Sequence, residues 1–224
     1  MSPYDTINVN IDEINVSNKF GISVDVVLLG YSHEGLKVLV IDSDLDPYRN
    51  LPSLLGTLVK PDELLNHSAR RVLHKYTGSH SMPLIQIGAF DGIDRHPIDR
   101  VFSVAYLSMI NLDHYNIDVG NQANPHWRCL NDIPEMAFDH KEMVNKALAY
   151  ARSNVDEITS TFPLLHEPFT IAQLRRLQET VLGASLDKRN FRKRILKSGL
   201  LKSTGQFQER VSHRPAELFM MNRD

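Results

Sequence analysis

The sequence of 224 residues contains only one cysteine, Cys129, and one tryptophan, Trp127. A single cysteine excludes an intramolecular disulfide framework and any zinc or iron–sulfur site built from several thiolates. The sequence also lacks an apolar run of the roughly 18 residues that a membrane-spanning helix needs, and residues 1–18 lack the basic and apolar regions of a secretory signal. We therefore expect a soluble cytoplasmic protein without a membrane partner.

Motifs for metal, nucleotide or covalent chemistry are equally scarce. The ten histidines are scattered and none forms an HExxH pair, although His74 and His80 lie six residues apart across a predicted helix end. The sequence contains no Walker A, dinucleotide-binding or G-x-S-x-G motif. We predict no metal centre, no catalytic residues and no cofactor.

The net charge of −2 hides an uneven distribution of charged residues. Residues 1–168 hold 13 Lys and Arg against 22 Asp and Glu, whereas residues 169–224 hold 12 against 5. The apolar fraction of 42% is sufficient for a packed core, so extensive disorder is not expected. The basic C-terminal quarter predicts a second module with a polyanionic partner, and a solvated basic face is the alternative.

The first part of the chain shows strand-like and helix-like patterns after an N-terminal arm at residues 1–20. Apolar and β-branched runs predict strands, and apolar residues at helical spacing predict two helices. The predicted strands are residues 21–31, 36–41, 84–90, 101–110 and 127–130, and the predicted helices are residues 62–76 and 139–152. Residues 42–55, with two prolines, are predicted to be a loop. For residues 21–153 this order predicts an α+β domain, a mixed sheet flanked by helices.

The remaining residues have the signals of a small helical domain. Residues 154–168 contain two prolines and no clear period, and we predict a linker there. A capping box follows, with Thr170 as N-cap and Gln173 three residues later, and Gly183 ends the predicted helix. A basic helix and two strands complete residues 169–224. This is the element order of a winged helix-turn-helix, whose second helix enters the major groove of DNA.

The basic helix carries side chains that are suited to duplex DNA. Arg can donate two hydrogen bonds to guanine and Asn can pair with adenine, whereas Lys mainly binds phosphates. Phe191 and Ile195 are predicted to face inward, with Arg194 beside them. The predicted DNA-binding residues of this helix are Lys188, Arg189, Asn190, Arg192 and Lys193. A solvated amphipathic helix without specific contacts is the alternative.

Residues 55–78 resemble a Nudix box. The family pattern is G-x5-E-x7-R-E-U-x-E-E-x-G-U, in which U is a bulky aliphatic residue. The positions that match this pattern are Glu63, Arg71, Leu73 and Gly78. A chance resemblance of an amphipathic helix is the alternative to a true Nudix helix.

The departures from the pattern fall on the residues that bind metal in Nudix hydrolases. Lys75 and Tyr76 stand where the two metal-binding glutamates belong. The other departures are Thr57, Val72 and Ser79. Mg²⁺ is a hard cation that needs several oxygen ligands, and a lysine repels it. The resemblance therefore implies a Nudix fold without hydrolase activity, and we predict that the protein is not an enzyme.

Further segments extend the resemblance to about residues 20–220. The segments that resemble the Nudix-related transcriptional regulators are residues 88–106, 138–143, 169–170, 186–194 and 214–219. This family joins a ligand-sensing Nudix domain to a winged-helix domain and acts as a homodimer on palindromic operators. Its branches include repressors of NAD metabolism that sense ADP-ribose and regulators of sugar catabolism such as arabinose use; residues 88–106 are closer to the sugar branch. The resemblance implies a ligand-responsive repressor of double-stranded DNA operators.

The same resemblance implies the residues of two sites. It places Arg214 in the wing, beside DNA. The effector cleft of a Nudix domain lies near the Nudix helix and adjoining strands, and the candidates there are Asp25, Phe90, Asp94, Arg95, Arg100 and Tyr106. The two arginines of this set could make forked hydrogen bonds to phosphate or hydroxyl oxygens, or they could simply brace their loop.

Two other functions stay open at this point. The first is a Nudix hydrolase of a nucleoside diphosphate derivative, although the missing carboxylates argue against it. The second is a non-catalytic sensor whose basic module binds RNA or another protein. Competition between duplex DNA and RNA would separate the second from a DNA-binding regulator.

Overall fold

The computed structural model of the protein describes residues 20–113, 124–209 and 214–222. These residues form a large mixed sheet with helices on both faces, followed by a smaller helical part with its own three-stranded sheet. The predicted α+β class is therefore confirmed. The predicted N-terminal arm lies outside the described residues, except for Phe20. Within the described ranges, no helix has the length and apolar character needed to cross a bilayer.

The large sheet contains seven strands with a parallel pair at its centre. In chain order the strands are β1 (Gly21–Ser32), β2 (Gly35–Asp42), β3 (Pro52–Ser53), β4 (Leu55–Leu58), β5 (Ile85–Phe90), β6 (Val101–Asn111) and β7 (His126–Cys129). β1 pairs in parallel with β6 and antiparallel with β2 and β4. The middle of β1 is buried throughout, since helices cover both faces of the sheet.

One helix covers each face of the large sheet. On one face α1 (Leu65–Thr77) buries Ala69 and Val72, and on the other α2 (His140–Ser153) buries Met143. Both helices were predicted, with boundaries that differ by at most three residues. Gly78 ends α1 in the left-handed conformation, with φ of 69°, as its position predicts.

The predicted loop at residues 42–55 is partly a correction. Only its first part is a loop, because β3 pairs with the end of β2, and β4 begins at Leu55 and pairs with β1. Strands of two to four residues are too short to show an alternating pattern, so hydrophobic periodicity could not predict them. The consequence is functional, since β3 and β4 bring residues 53–58 to the edge of a cavity.

The predicted linker at residues 154–168 also differs from expectation, because it contains a helix. This helix, α3 (Val155–Thr161), follows α2 after Asn154. Ile158, Phe162 and Leu164 are fully or almost fully buried. The segment is therefore part of the packed core. The domain boundaries themselves stay predictions.

The C-terminal part contains the predicted winged-helix elements and one additional strand. In chain order these are β8 (Phe169–Thr170), α4 (Ile171–Leu182), α5 (Lys188–Lys197), β9 (Leu201–Phe207) and β10 (Glu217–Met221). The sheet order is β8-β10-β9 with antiparallel pairing throughout. β8 was not predicted, because it contains only two residues.

Side-chain caps fix where α4 and α5 begin. The Thr170 hydroxyl accepts a hydrogen bond from the Gln173 amide at 3.2 Å, and the Gln173 side chain accepts one from the Thr170 amide at 2.8 Å. The predicted capping box is therefore present. The Asp187 carboxylate accepts from the Asn190 amide at 2.9 Å and caps α5 in the same way.

A single hydrophobic cluster connects the large sheet to the C-terminal helices. It contains the α2 side of the sheet together with buried residues of α2, α3, α4 and α5. Leu174 and Leu177 of α4 and Phe191 of α5 belong to this cluster. α4 also contacts α2 and β2 directly. The two parts of the chain therefore pack against each other through apolar side chains.

We expect Thr170→Ala to lower the free energy of unfolding by about 1 kcal/mol, the typical cost of losing an N-cap. The matched control is Thr180→Ala in the same helix, where the hydroxyl bonds only to the Arg176 carbonyl one turn earlier. For this control we expect a change within about 0.5 kcal/mol. Urea denaturation followed by circular dichroism measures both variants, and equal losses would contradict the assignment of the cap.

Candidate DNA-binding surface and effector cavity

The exposed face of α5 carries all five DNA-binding residues predicted for this helix. Phe191 and Ile195 are buried at 3% and 1% exposure and hold the opposite face against the core. The residues that this arrangement leaves exposed are Lys188, Arg189, Asn190, Arg192 and Lys193. They lie in the N-terminal half of the helix, the part that meets base edges when a recognition helix enters the major groove. The geometry is therefore suited to reading duplex DNA.

The sixth predicted DNA-binding residue lies on a different element. Arg214 is exposed and precedes β10, in the segment that leads from the wing back into the small sheet. Arg214 therefore lies on the predicted wing and not on α5. The structure thus divides the predicted set into a helix group and a wing residue.

Arg194 has a role that the sequence did not reveal. Its guanidinium donates to the Asp156 carboxylate of α3 and, at 2.7 Å, to the Gln178 side chain of α4. Gln178 is fully buried and in turn donates to Asp156 at 2.7 Å. The three side chains join α3, α4 and α5, and Arg194 fixes the recognition helix on the two helices beneath it. Sequence analysis placed Arg194 beside the inward-facing Phe191 and Ile195, but it did not identify the partners of Arg194 on α3 and α4.

A cavity of about 210 Å³ opens at the edge of the large sheet, next to the first turn of α2. We call it the effector cavity. Polar groups from five segments converge on it, and they include Asp25, Ser53, Thr57, Arg95 and His140. Two of the six predicted effector residues, Asp25 and Arg95, are therefore brought together.

Asp25 lies almost buried in the wall of this cavity, at 6% exposure. Its Oδ2 accepts a hydrogen bond from the Ser103 hydroxyl, and its Oδ1 lies 3.6 Å from His140 Nε2. Gly56 passes so close that a methyl group in place of its hydrogen would collide with Asp25 Oδ1. The glycine is thus required for β4 to pair with β1 beside this carboxylate.

Arg95 braces the cavity from the opposite side. Its Nε and Nη2 donate to the two carboxylate oxygens of Asp139, each at 2.8 Å, while Nη2 lies 3.8 Å from Asp25 Oδ2. Asp139 was predicted to cap α2, but its side chain makes no cap hydrogen bond, because it is engaged with this arginine. Of the two roles considered for Arg95, these contacts favour bracing.

His140 is held in the neutral form with a defined tautomer. The Leu54 amide donates to His140 Nδ1 at 3.0 Å, so Nδ1 carries no proton and the proton resides on Nε2. Burial lowers the pKa of His140, and Arg95 lowers it further, although Asp25 and Asp139 oppose this shift. The cavity therefore offers an imidazole N–H donor beside a carboxylate acceptor.

The other four predicted effector residues lie away from the effector cavity. Phe90 is buried on the α2 side with the Lys146 ammonium 4.9 Å from its ring centroid, whereas Tyr106 belongs to the core on the α1 side. Asp94 is exposed, and the Arg100 guanidinium stacks over the Phe102 ring at 4.5 Å. The missed residues Ser53, Thr57 and His140 come from elements whose pairing or register the sequence did not show.

The carboxylate positions of the Nudix box retain a single carboxylate, Glu63 in the loop before α1, and that carboxylate is already engaged. Glu63 accepts from Arg71 at 2.7 and 2.9 Å and from the Ser68 hydroxyl at 2.7 Å, which together lower the pKa of Glu63 to about 2. Tyr76, at a metal-ligand position of the pattern, is buried in the core at 7% exposure. The residues present therefore do not fit a hydrolytic Mg²⁺ site. Among the described residues, no group of three His, Cys, Asp or Glu could hold a metal ion.

A larger cleft of about 780 Å³ lies between the large sheet and α4. Tyr31 and Asp113 line it from the sheet side, and Arg176 and Glu179 line it from α4. Charges of both signs are mixed along its walls. The junction between the large sheet and α4 is therefore open at this cleft, whereas the shared hydrophobic core fills its other side.

Comparison with known proteins identifies the C-terminal domain. The family model described as the NrtR DNA-binding winged helix domain matches residues 161–221. Over 201 residues the chain is 27% identical to the ADPR responsive transcriptional repressor NtrR of Acinetobacter baylyi, covering 88% of this chain and 80% of that protein.

Solved structures extend the similarity to nearly the whole chain. Shewanella oneidensis NrtR complexed with a 27mer DNA superposes with a TM-score of 0.77 at 25% identity, covering 90% of this chain and 93% of that one. The NUDIX domain of the same NrtR, complexed with ADP ribose, matches with a TM-score of 0.52 at 24% identity and covers 59% and 88%. The second likeness shows the fold of the N-terminal part. The resemblance drawn from the sequence is confirmed: residues 161–221 match the NrtR DNA-binding winged helix domain, and the N-terminal part has a Nudix fold with a degenerate Nudix box.

Proposed function

We infer that this protein is a ligand-responsive transcriptional repressor that binds duplex DNA through α5. The observation that carries this inference is the exposed N-terminal half of α5, where two arginines, two lysines and an asparagine stand on a helix whose other face is anchored in the core. The matched winged-helix domain includes this helix. We propose that Arg189 and Asn190 read base edges and that the lysines bind phosphates.

We propose ADP-ribose as the effector, with a ribose of the ligand bound in the effector cavity. The A. baylyi relative is named as ADPR responsive, and the S. oneidensis NUDIX domain was solved with ADP ribose. The cavity supports this choice chemically, because the Asp25 carboxylate and the His140 Nε2–H can accept from and donate to vicinal hydroxyls of a ribose. The relatives found thus favour the ADP-ribose branch over the sugar branch that the sequence suggested.

Two further parts of the proposal concern assembly and chemistry. A homodimer would present two copies of α5 to half-sites about one helical turn, ~34 Å, apart, which is the usual arrangement for a palindromic operator. We also propose that the protein does not hydrolyse its effector, since Glu63 is tied to Arg71 and Tyr76 is part of the core. Incubation with ADP-ribose and Mg²⁺ tests this last point directly, and turnover at an enzymatic rate would overturn it.

Fluorescence anisotropy with DNA from upstream of the gene tests the repressor function. We expect salt-sensitive binding to a preferred duplex sequence, release on addition of ADP-ribose, and weak competition by RNA. Binding that is indifferent to sequence, or an RNA affinity equal to that for DNA, would contradict the proposal.

We expect Arg189→Ala to weaken binding to that duplex about 10- to 100-fold, because a bidentate contact to guanine contributes about 1–3 kcal/mol. The matched control is Arg49→Ala, which removes an exposed arginine that is paired with Asp46 far from α5. The control is expected to bind DNA like the unaltered protein. Equal behaviour of the two variants would remove Arg189 from the DNA contact set.

We expect Asp25→Asn to weaken ADP-ribose binding about tenfold or more, since hydrogen bonds to a charged group contribute about 1.5–3 kcal/mol. The DNA affinity without effector should not change. Asp94→Asn is the control, because Asp94 was also an effector candidate but is exposed outside the cavity. Isothermal titration calorimetry measures both, and a larger loss in Asp94→Asn would place the effector elsewhere.

We expect Asp156→Asn to weaken DNA binding about 3- to 10-fold, which corresponds to about 0.6–1.4 kcal/mol, because Arg194 loses its ionic partner and α5 is held less firmly. Removal of a negative charge would by itself strengthen DNA binding, so the two effects have opposite signs. The control Glu157→Gln removes an exposed carboxylate of the same helix that bonds to Tyr150. Tighter DNA binding by both variants would show that Arg194 does not position the recognition helix.

A further inference from the structure

The outer face of α1 forms a second cleft with an unusual lining. It has a volume of about 330 Å³, and we call it the basic cleft. The residues that line it are His67, Arg70, Arg71, His74 and His80. Each of these side chains carries a basic group, and among the residues that the structure describes no carboxylate and no aliphatic side chain lines the cleft. The cleft is therefore a candidate site for an anion.

Helical spacing and loop contacts hold these side chains in place. Four of the five occur at spacings of three, four and seven residues on α1, which places them on one face of the helix. His80, beyond the helix end, stacks on His74 with ring centroids 3.6 Å apart and 23° between the ring planes. Arg70 donates from Nη1 to the carbonyls of Met82 and His80, at 3.2 and 3.4 Å. The loop after α1 thereby closes one side of the cleft.

The basic cleft is distinct from the place where a Nudix hydrolase holds its metal. The metal-ligand positions of the pattern fall on Lys75 and Tyr76, and Tyr76 points into the core on the inner side of α1. Guanidinium groups repel divalent cations, and stacked imidazole rings do not direct their nitrogens at a common point. The lining thus favours a phosphate-type anion over a metal ion.

One hydrogen bond connects a side chain of the basic cleft with a side chain of the effector cavity. Arg71 lines the basic cleft and its Nη1 donates at 3.4 Å to the Thr57 hydroxyl, which lines the effector cavity. The effector cavity of about 210 Å³ is smaller than the roughly 300–1,000 Å³ typical of small-molecule sites. Its arginine, Arg95, is paired with Asp139, and the Asp25 carboxylate would repel a phosphate. A sugar fits there, but a diphosphate needs a different surface.

We propose that the basic cleft binds the diphosphate of a sugar nucleotide whose sugar occupies the effector cavity, and that it does so without a metal ion. This inference rests on the proposed function, because it extends the same effector site. The Arg70 guanidinium supplies forked donors to phosphate oxygens, and the three imidazoles supply further N–H donors around it. Arg71, held by Glu63, forms the boundary between sugar and diphosphate.

Calorimetric titrations of the full chain in EDTA test the proposal, with inorganic pyrophosphate, ADP-ribose and D-ribose as probes. We expect Arg70→Gln/His74→Gln to weaken the binding of pyrophosphate and of ADP-ribose about tenfold or more, in line with the loss of charged hydrogen bonds. D-Ribose binding should not change. The matched control, Arg49→Gln/His33→Gln, removes an exposed arginine and an exposed histidine outside the cleft and should bind every probe normally.

A second variant and a DNA-binding measurement keep the test decisive even if the double variant does not fold. His67→Gln changes an exposed residue of the helix and should weaken pyrophosphate binding about threefold if the double variant does not fold. Unchanged affinity in the cleft variants, or binding that requires Mg²⁺, would overturn the proposal. Fluorescence anisotropy with operator DNA on the same samples separates the hypothesis of the basic cleft from that of the repressor function. Cleft variants that bind the operator normally but no longer bind ADP-ribose support the basic cleft. Failure of the unaltered protein to recognise an operator overturns the repressor function instead.

Discussion

The arrangement of the two domains depends on one continuous hydrophobic core. The α2 side of the large sheet, the short helix α3 and the helices α4 and α5 contribute to the same cluster. Because packed interiors tolerate little change in volume, these elements cannot move independently without repacking. The segment between the sensing and the DNA-binding parts therefore acts as a structural element. On the other side of the junction lies the cleft between the large sheet and α4.

This core places both candidate sites at the ends of the same set of helices. His140, the first residue of α2, contributes to the effector cavity, while α3, directly after α2, holds Arg194 of the recognition helix through Asp156. An effector can alter DNA affinity only to the extent that it binds two arrangements of the protein with different affinity. A bound effector would contact the first turn of α2 and could thereby shift the packing of the core. The ion pair of Asp156 and Arg194 would transmit that shift to α5. The contacts from α2 through α3 to Arg194 are contiguous and therefore form a physical route for such coupling.

Local signals predicted the features that local chemistry determines. The strand patterns of β1 and β6, the capping box of Thr170 and the stop at Gly78 are encoded within a few residues of each feature. Features set by pairing between distant segments were missed, among them β3 and β4 and the buried helix α3. Asp139 shows the same limit, because its side chain pairs with Arg95, 44 residues away, instead of capping its own helix.

The candidate sites follow the same division between local and distant determinants. The residues of α5 that we propose to bind DNA lie within six consecutive positions, so helical periodicity alone places them on an exposed face. The effector residues come from separate strands and loops, and only the register of β5 against β6 shows that Phe90 and Tyr106 belong to opposite sides of the sheet. The structure brings Asp25 and Arg95 of the predicted set together at one cavity, whereas sequence reasoning could not choose among neighbouring residues of the same segments.

The Nudix-like helix shows how a hydrolase scaffold can keep its fold while its metal-binding residues change. The pair of Glu63 and Arg71 still joins the loop before α1 to the helix, and the low pKa of Glu63 keeps this carboxylate ionised at every physiological pH. Val72 and Tyr76, at positions where hydrolases carry glutamates, contribute apolar surface to the core instead of ligands. Burying them stabilises the helix against the sheet, whereas glutamates at the same positions would need water or a cation. The side chains at these two positions of the box thus strengthen the packing of the domain.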